Sequence, residues 1–114
     1  FFPVVESKIP HPVDIYESDF GLHFEIACTG LTKKDVQINI EGEVLRISYN
    51  KEKNETDNGY KYIHRGVAKR SFNLGYKISS KFNLTKAAAE MNNGLLEISI
   101  QFAQEAKPRS LEIN

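Results

Sequence analysis

The chain has 114 residues, a length that fits one domain with short extensions. Fifteen Lys and Arg balance fifteen Asp and Glu, so it lacks the basic excess through which proteins neutralise nucleic-acid phosphates, and little charge repulsion keeps copies apart. One cysteine, Cys28, cannot build a disulfide framework and points to a reducing, cytoplasmic compartment. No run approaches the roughly 20 apolar residues of a membrane span.

The chain opens Phe1-Phe2-Pro3 without Met, which leaves room for a longer native N-terminus. Val13-Asp14-Ile15-Tyr16, after Pro10 and Pro12, reads as an edge strand. From Phe20 to Cys28 the even positions are Phe20, Leu22, Phe24, Ile26 and Cys28, alternating with Gly21, His23, Glu25 and Ala27. That is a half-buried strand, with Cys28 a small buried hydrophobe in its row. Val36, Ile38 and Ile40 alternate with Gln37 and Asn39 in the next strand, Glu41-Gly42-Glu43 makes a hairpin turn, and Leu45, Ile47 and Tyr49 mark the strand after it.

Residues 51–59 are almost wholly polar and read as a solvated loop. Tyr60-Lys61-Tyr62-Ile63-His64-Arg65 is expected to form a short strand on its far side. Another strand is expected over 68–78, with Phe72, Leu74 and Tyr76 on one face. Residues 79–86 read as irregular with one helical turn. Asn92-Asn93-Gly94 then leads into Leu96, Ile98, Ile100 and Phe102, the last strong strand. About seven short strands with turns between them and no long helical pattern predict an antiparallel β-sandwich. The chain closes on a polar spacer, 104–109, and Leu111-Glu112-Ile113. In an extended segment Leu111 and Ile113 point the same way, a two-pronged apolar plug for another molecule or for the chain's own body.

The pattern of an enzyme is missing. His11, His23 and His64 have no metal-ligand spacing with one another or with Cys28, and His23 falls on a polar, solvated face. There is no Gly-rich phosphate loop and no nucleophile elbow, and the carboxylates are scattered among turns and exposed faces. No cofactor or metal is expected. Lys61, His64, Arg65, Lys69 and Arg70, interleaved with Tyr60, Tyr62 and Phe72, could stack bases and hold phosphates. An ordinary strand with a basic exposed face explains the same residues, and zero net charge favours that explanation.

The order of these features resembles the small heat shock proteins, the family built on the α-crystallin domain. The likeness lies in Pro12-Val13-Asp14-Ile15-Tyr16-Glu17, in Ile26-Ala27-Cys28-Thr29-Gly30-Leu31 followed by Lys34-Asp35-Val36, and in Ala89-Glu90-Met91-Asn92-Asn93-Gly94-Leu95-Leu96. Leu111-Glu112-Ile113 fits the family's C-terminal tail motif. The second half is most similar to the bacterial inclusion-body-binding branch, in Gly66-Val67-Ala68-Lys69-Arg70-Ser71-Phe72 and in the final ten residues. Thr29 stands where many relatives carry Pro, and only Phe1-Phe2-Pro3-Val4-Val5 resembles the family's apolar N-terminal arm.

The resemblance implies an immunoglobulin-like sandwich over 12–102, the end of an N-terminal arm over 1–11, an exchange loop at about 51–66 and a C-terminal extension over 103–114. It implies an ATP-independent chaperone that holds partly unfolded client proteins and hands them to ATP-dependent chaperones. Dimers would form by strand exchange, the crossing strand carrying Tyr60, Tyr62 and Ile63, the receptor Val13 and Ile15, with Arg70 near the interface. Dimers would join into larger homo-oligomers as Leu111 and Ile113 enter a groove lined by Val36, Ile38, Ile40, Ala89 and Met91. The alternative is a p23-like co-chaperone or scaffold sandwich that binds one folded partner. Nucleic-acid binding and a membrane span are not expected.

Overall fold

Residues that alternate in polarity must present one face to a core, and in a computed structural model these segments pair into sheets. The structure describes residues 2, 3, 12–50, 59–64, 71–104 and 113. Its strands are β1 (Phe2–Pro3), β2 (Val13–Glu17), β3 (Gly21–Ala27), β4 (Val36–Glu41), β5 (Val44–Tyr49), β6 (Phe72–Lys77), β7 (Ala88–Asn92) and β8 (Leu95–Gln101). They form two four-stranded sheets, ordered β1-β6-β5-β4 and β2-β3-β8-β7, with every pairing antiparallel. This is the expected all-β, immunoglobulin-like sandwich.

The register makes the core. Leu22, Phe24 and Ile26 of β3 lie opposite Ile100, Ile98 and Leu96 of β8. Leu45, Ile47 and Tyr49 of β5 lie between Ile40, Ile38 and Val36 on one side and Tyr76, Leu74 and Phe72 on the other. Phe24, Ile26, Leu45, Ile47, Leu74, Ile98, Ile100 and Cys28 are almost fully buried. Each such aliphatic or aromatic side chain contributes about 1.5–3 kcal/mol. Phe24 and Tyr76 join the two sheets with ring centroids 5.1 Å apart. Burial also pushes the Cys28 thiol up from its ordinary value, which suits a packing role.

Asn93 (φ 51°) and Gly94 (φ 78°) both take positive φ, which matches the right-handed twist of the β7–β8 hairpin they connect. At the opposite end a 3-10 turn, Leu84–Lys86, caps the sandwich. There Phe82 bridges Phe102, the rings stack at 5.3 Å, and the Ala103 N–H donates to the Lys81 carbonyl at 2.8 Å.

Several expectations shift. Phe20 is 51% exposed rather than part of the core row. Phe20 lies within the turn that the Ser18 N–H closes by donating to the Gly21 carbonyl, so the buried row begins in β3 at Leu22. The strand expected from residue 68 runs from Phe72; residues 68–70 lie outside the described residues. Residues 60–64, expected as part of a short strand over 60–65, belong to none of the strands of the described structure, and Arg65 lies outside the described residues. Phe2–Pro3, read as part of an arm, pairs with β6, Phe2 opposite Lys77 and Pro3 opposite Tyr76.

Candidate assembly and client-binding site

Each sheet ends on one side with an edge strand, β4 in one and β7 in the other. Edges offer unpaired N–H and C=O groups and leave side chains half covered. Between these two lies a cavity of about 400 Å³, walled by Val36 and Ile38 on β4 and by Ala89 and Met91 on β7, with Leu96 of β8 behind them. Lys33, Glu90 and Asn92 add polar atoms to the lining, and all three are exposed. Val36, Ile38 and Met91 are partly buried against the core. They contribute to packing and leave apolar surface free.

Four of the five groove residues expected from the sequence therefore meet around one opening, and Ile40 does not. Ile40 is 46% exposed near the end of β4, opposite Leu45 and next to the hairpin turn, beyond the reach of the cavity wall. Leu96, Lys33, Glu90 and Asn92 were not anticipated. Leu96 shares the inward row with Ile98 and Ile100, and that alternation was its available signal.

On the other side of the molecule β2 is the edge of its sheet. Val13 and Ile15 pack partly against the core. The Ala27 N–H donates to the Pro12 carbonyl (3.0 Å) and the Ser18 N–H to the Gly21 carbonyl (2.8 Å). Hydrogen-bonded pairs with β3 therefore fall at Pro12, Asp14, Tyr16 and Ser18. The N–H and C=O groups of Val13, Ile15 and Glu17 point out from the open edge.

Tyr60, Tyr62 and Ile63 are exposed, Ile63 at 102% of its reference area, and Tyr60 meets Tyr62 edge-on at 6.4 Å. Ile113 is 94% exposed. Leu111 and Arg70 lie outside the described residues.

His23, expected to be a plain solvated residue, is half-buried and held on both ring nitrogens. Nε2 lies 2.6 Å from Ser18 Oγ and Nδ1 3.2 Å from Ser99 Oγ. Tyr16 stacks on it at 4.8 Å. Among the described residues no group of three His, Cys, Asp or Glu side chains is placed to hold a metal, and no helix is long and apolar enough to cross a membrane.

The arrangement defines a sandwich with apolar, open margins, a module for association with other chains. Residues 14–114 match the Hsp20/alpha crystallin family. The chain is 30% identical over 108 residues to small heat shock protein C2 of Rickettsia felis, spanning 95% of this chain and 70% of that one. It is 26% identical over 114 residues to small heat shock protein ibp of Buchnera aphidicola, spanning 98% of this chain and 70% of that one. The solved small heat shock protein of Synechococcus phage S-ShM2 superposes with a TM-score of 0.68 at 28% identity, covering 90% of this chain and 95% of that one. The chain belongs to the Hsp20/alpha crystallin family, the small heat shock proteins. Its role is that of a chaperone, as in the rest of that family, and the p23-like alternative is not favoured.

Proposed function

We propose that the chain is an ATP-independent holdase in the cytoplasm. It binds partly unfolded proteins on exposed apolar surface, working as dynamic oligomers built from dimers, and passes clients to ATP-dependent chaperones. Nucleic acid plays no part. The observation that carries this reading is the open groove between β4 and β7, together with an apolar residue of the C-terminal segment, Ile113, exposed to solvent.

In this reading Leu111 and Ile113 of one copy fill the Val36, Ile38, Ala89 and Met91 groove of another. An extended segment docked on a sheet edge gains backbone pairing and side-chain pockets together. Burying the two side chains yields roughly 3–6 kcal/mol gross. Ordering the spacer and losing rigid-body freedom offset much of it. One tail holds weakly, while many tails hold strongly through effective concentration. Weak single links let subunits exchange and grooves open to clients. Residues 60–65 cross to the β2 edge of a second copy, with Arg70 near that interface, giving a self-complementary dimer.

The test is the variant Leu111→Ala with Ile113→Ala. Its particles shrink toward dimers by light scattering while strand content by circular dichroism is kept; an unchanged mass removes the linking role. The unmodified protein, without ATP, suppresses heat-induced aggregation of a model client at near-stoichiometric ratio. Monomers that suppress nothing overturn the holdase reading.

A further inference from the structure

Met91 is the single methionine of the chain. It sits on the edge strand β7, opposite Leu96 of β8. It is the one β7 side chain that packs against the core, the other four being exposed. With Val36, Ile38 and Ala89 it also walls the open groove. A cavity of about 400 Å³ has room for many molecules the size of water, so small solutes reach that wall. The half-buried thioether is therefore both a packing group and an accessible one. The single cysteine differs. Cys28 is 0% exposed, and burial disfavours its reactive thiolate.

We propose that Met91 is a site of reversible oxidation by peroxides, and that its sulfoxide loosens the grip of the groove on a tail, an inference that rests on the tail-docking reading above. In the step itself the thioether sulfur attacks one peroxide oxygen. An S–O bond forms, the O–O bond breaks, the sulfur gives up two electrons, and the second oxygen leaves as water. A thiol-dependent methionine sulfoxide reductase returns two electrons and two protons, and the added oxygen leaves as water.

The sulfoxide oxygen is a strong hydrogen-bond acceptor on what had been an apolar wall. While the groove is open, water solvates it, and the exposed Lys33 and Asn92 bring donors to the same lining. A docked Leu111 or Ile113 side chain displaces that water and offers no donor in return. Val36, Ile38, Ala89 and Leu96 offer none from their side chains either. An acceptor buried without a partner costs free energy, so the oxidised groove favours its open state. The coupling runs both ways: a docked tail covers the thioether, and peroxide acts on grooves whose tails have left. Oxidation therefore shifts tail-linked particles toward dimers, and reduction reverses the shift.

Residues 104–114 contain neither Met nor Cys, so a peptide of that sequence reports on the groove alone. It is titrated onto the full chain carrying Leu111→Ala and Ile113→Ala, before and after hydrogen peroxide, with mass spectrometry locating the added oxygen. Sulfoxide at Met91 weakens peptide binding about five- to thirtyfold, the scale of one buried polar group without a partner. A methionine sulfoxide reductase restores it. Met91→Leu, which nearly conserves volume, binds the peptide as the unoxidised chain does and is unaffected by peroxide. Three results overturn the role of Met91 and leave tail docking standing: a folded chain that gains no oxygen there, undiminished binding by the sulfoxide, or an equal loss in Met91→Leu. Strand content lost by circular dichroism on oxidation assigns the effect to unfolding and also overturns it. Equal oxidation rates in the unmodified chain and the tail variant overturn the shielding of Met91 by a docked tail. A peptide that never binds the unoxidised chain overturns the tail-docking reading, and the role of Met91 with it.

Discussion

Gly21 lies so close to the Ile100 carbonyl oxygen that a Cβ on it would stand 2.1 Å away, and 2.8 Å from the Gln101 Cα. Its φ of +154° is also outside the range that side chains readily adopt. The close approach occurs where β3 starts and β8 ends, so the two central strands of one sheet depend on a missing side chain. Gly21→Ala is expected to lower stability by about 2–4 kcal/mol through backbone strain and overpacking. Urea unfolding followed by circular dichroism measures it. An unchanged midpoint means the strands part there without cost.

Ile38 serves both the core and the groove, and a charge at its exposed rim separates those duties. Ile38→Asp is expected to reduce particle mass as far as removing both tail anchors does. The folded unit loses about 1–3 kcal/mol, the usual range for a half-buried site. Light scattering and calorimetry on one sample decide. Full-sized particles from a folded Ile38→Asp protein would show that tails dock elsewhere.

Burial pushes the Tyr76 phenol above its ordinary 10.0. The folded state keeps a proton that the unfolded chain releases, so the stability is complete below pH 10 and is lost as pH rises through the folded value. Tyr76→Phe keeps the ring that tilts against Phe24 at 5.1 Å and removes the titrating group. Its unfolding free energy is expected to fall less steeply above about pH 10 than that of the unmodified protein. Parallel alkaline limbs for the two proteins would assign the loss to other groups.

Period-two patterning made the sandwich legible, because a strand with one buried face must alternate. Leu22, Phe24 and Ile26 and their partners on β8 follow directly from it. Phe20 and Ile40 fit the same alternation and escape the core, each for a reason periodicity does not carry. Phe20 lies within a turn, so the buried row begins at Leu22, and the end of β4 runs past what the facing sheet covers. Residues 60–64 have a strand's composition and lie in none of the strands, because alternation alone does not supply the neighbouring ladder that makes a strand. The groove was legible through the family likeness and through hydrophobic residues on two strands that sequence spacing cannot bring together. Its polar lining residues Lys33, Glu90 and Asn92 became visible only once β4 and β7 were placed on the same side. Likewise the partners of His23, at Ser18 and Ser99, follow from register across three strands and not from neighbours in the chain.

The bond from the Ala103 N–H to the Lys81 carbonyl fixes the point from which the C-terminal segment departs. Ten residue steps separate Ala103 from Ile113. At about 3.3–3.6 Å per step the leash cannot exceed about 33–36 Å. Whatever receives Ile113 must therefore sit within that radius of Ala103. In the tail-linked assembly proposed above, the spacing between linked copies is bounded by chain length, and inserting residues after Ala103 should let that assembly dilate.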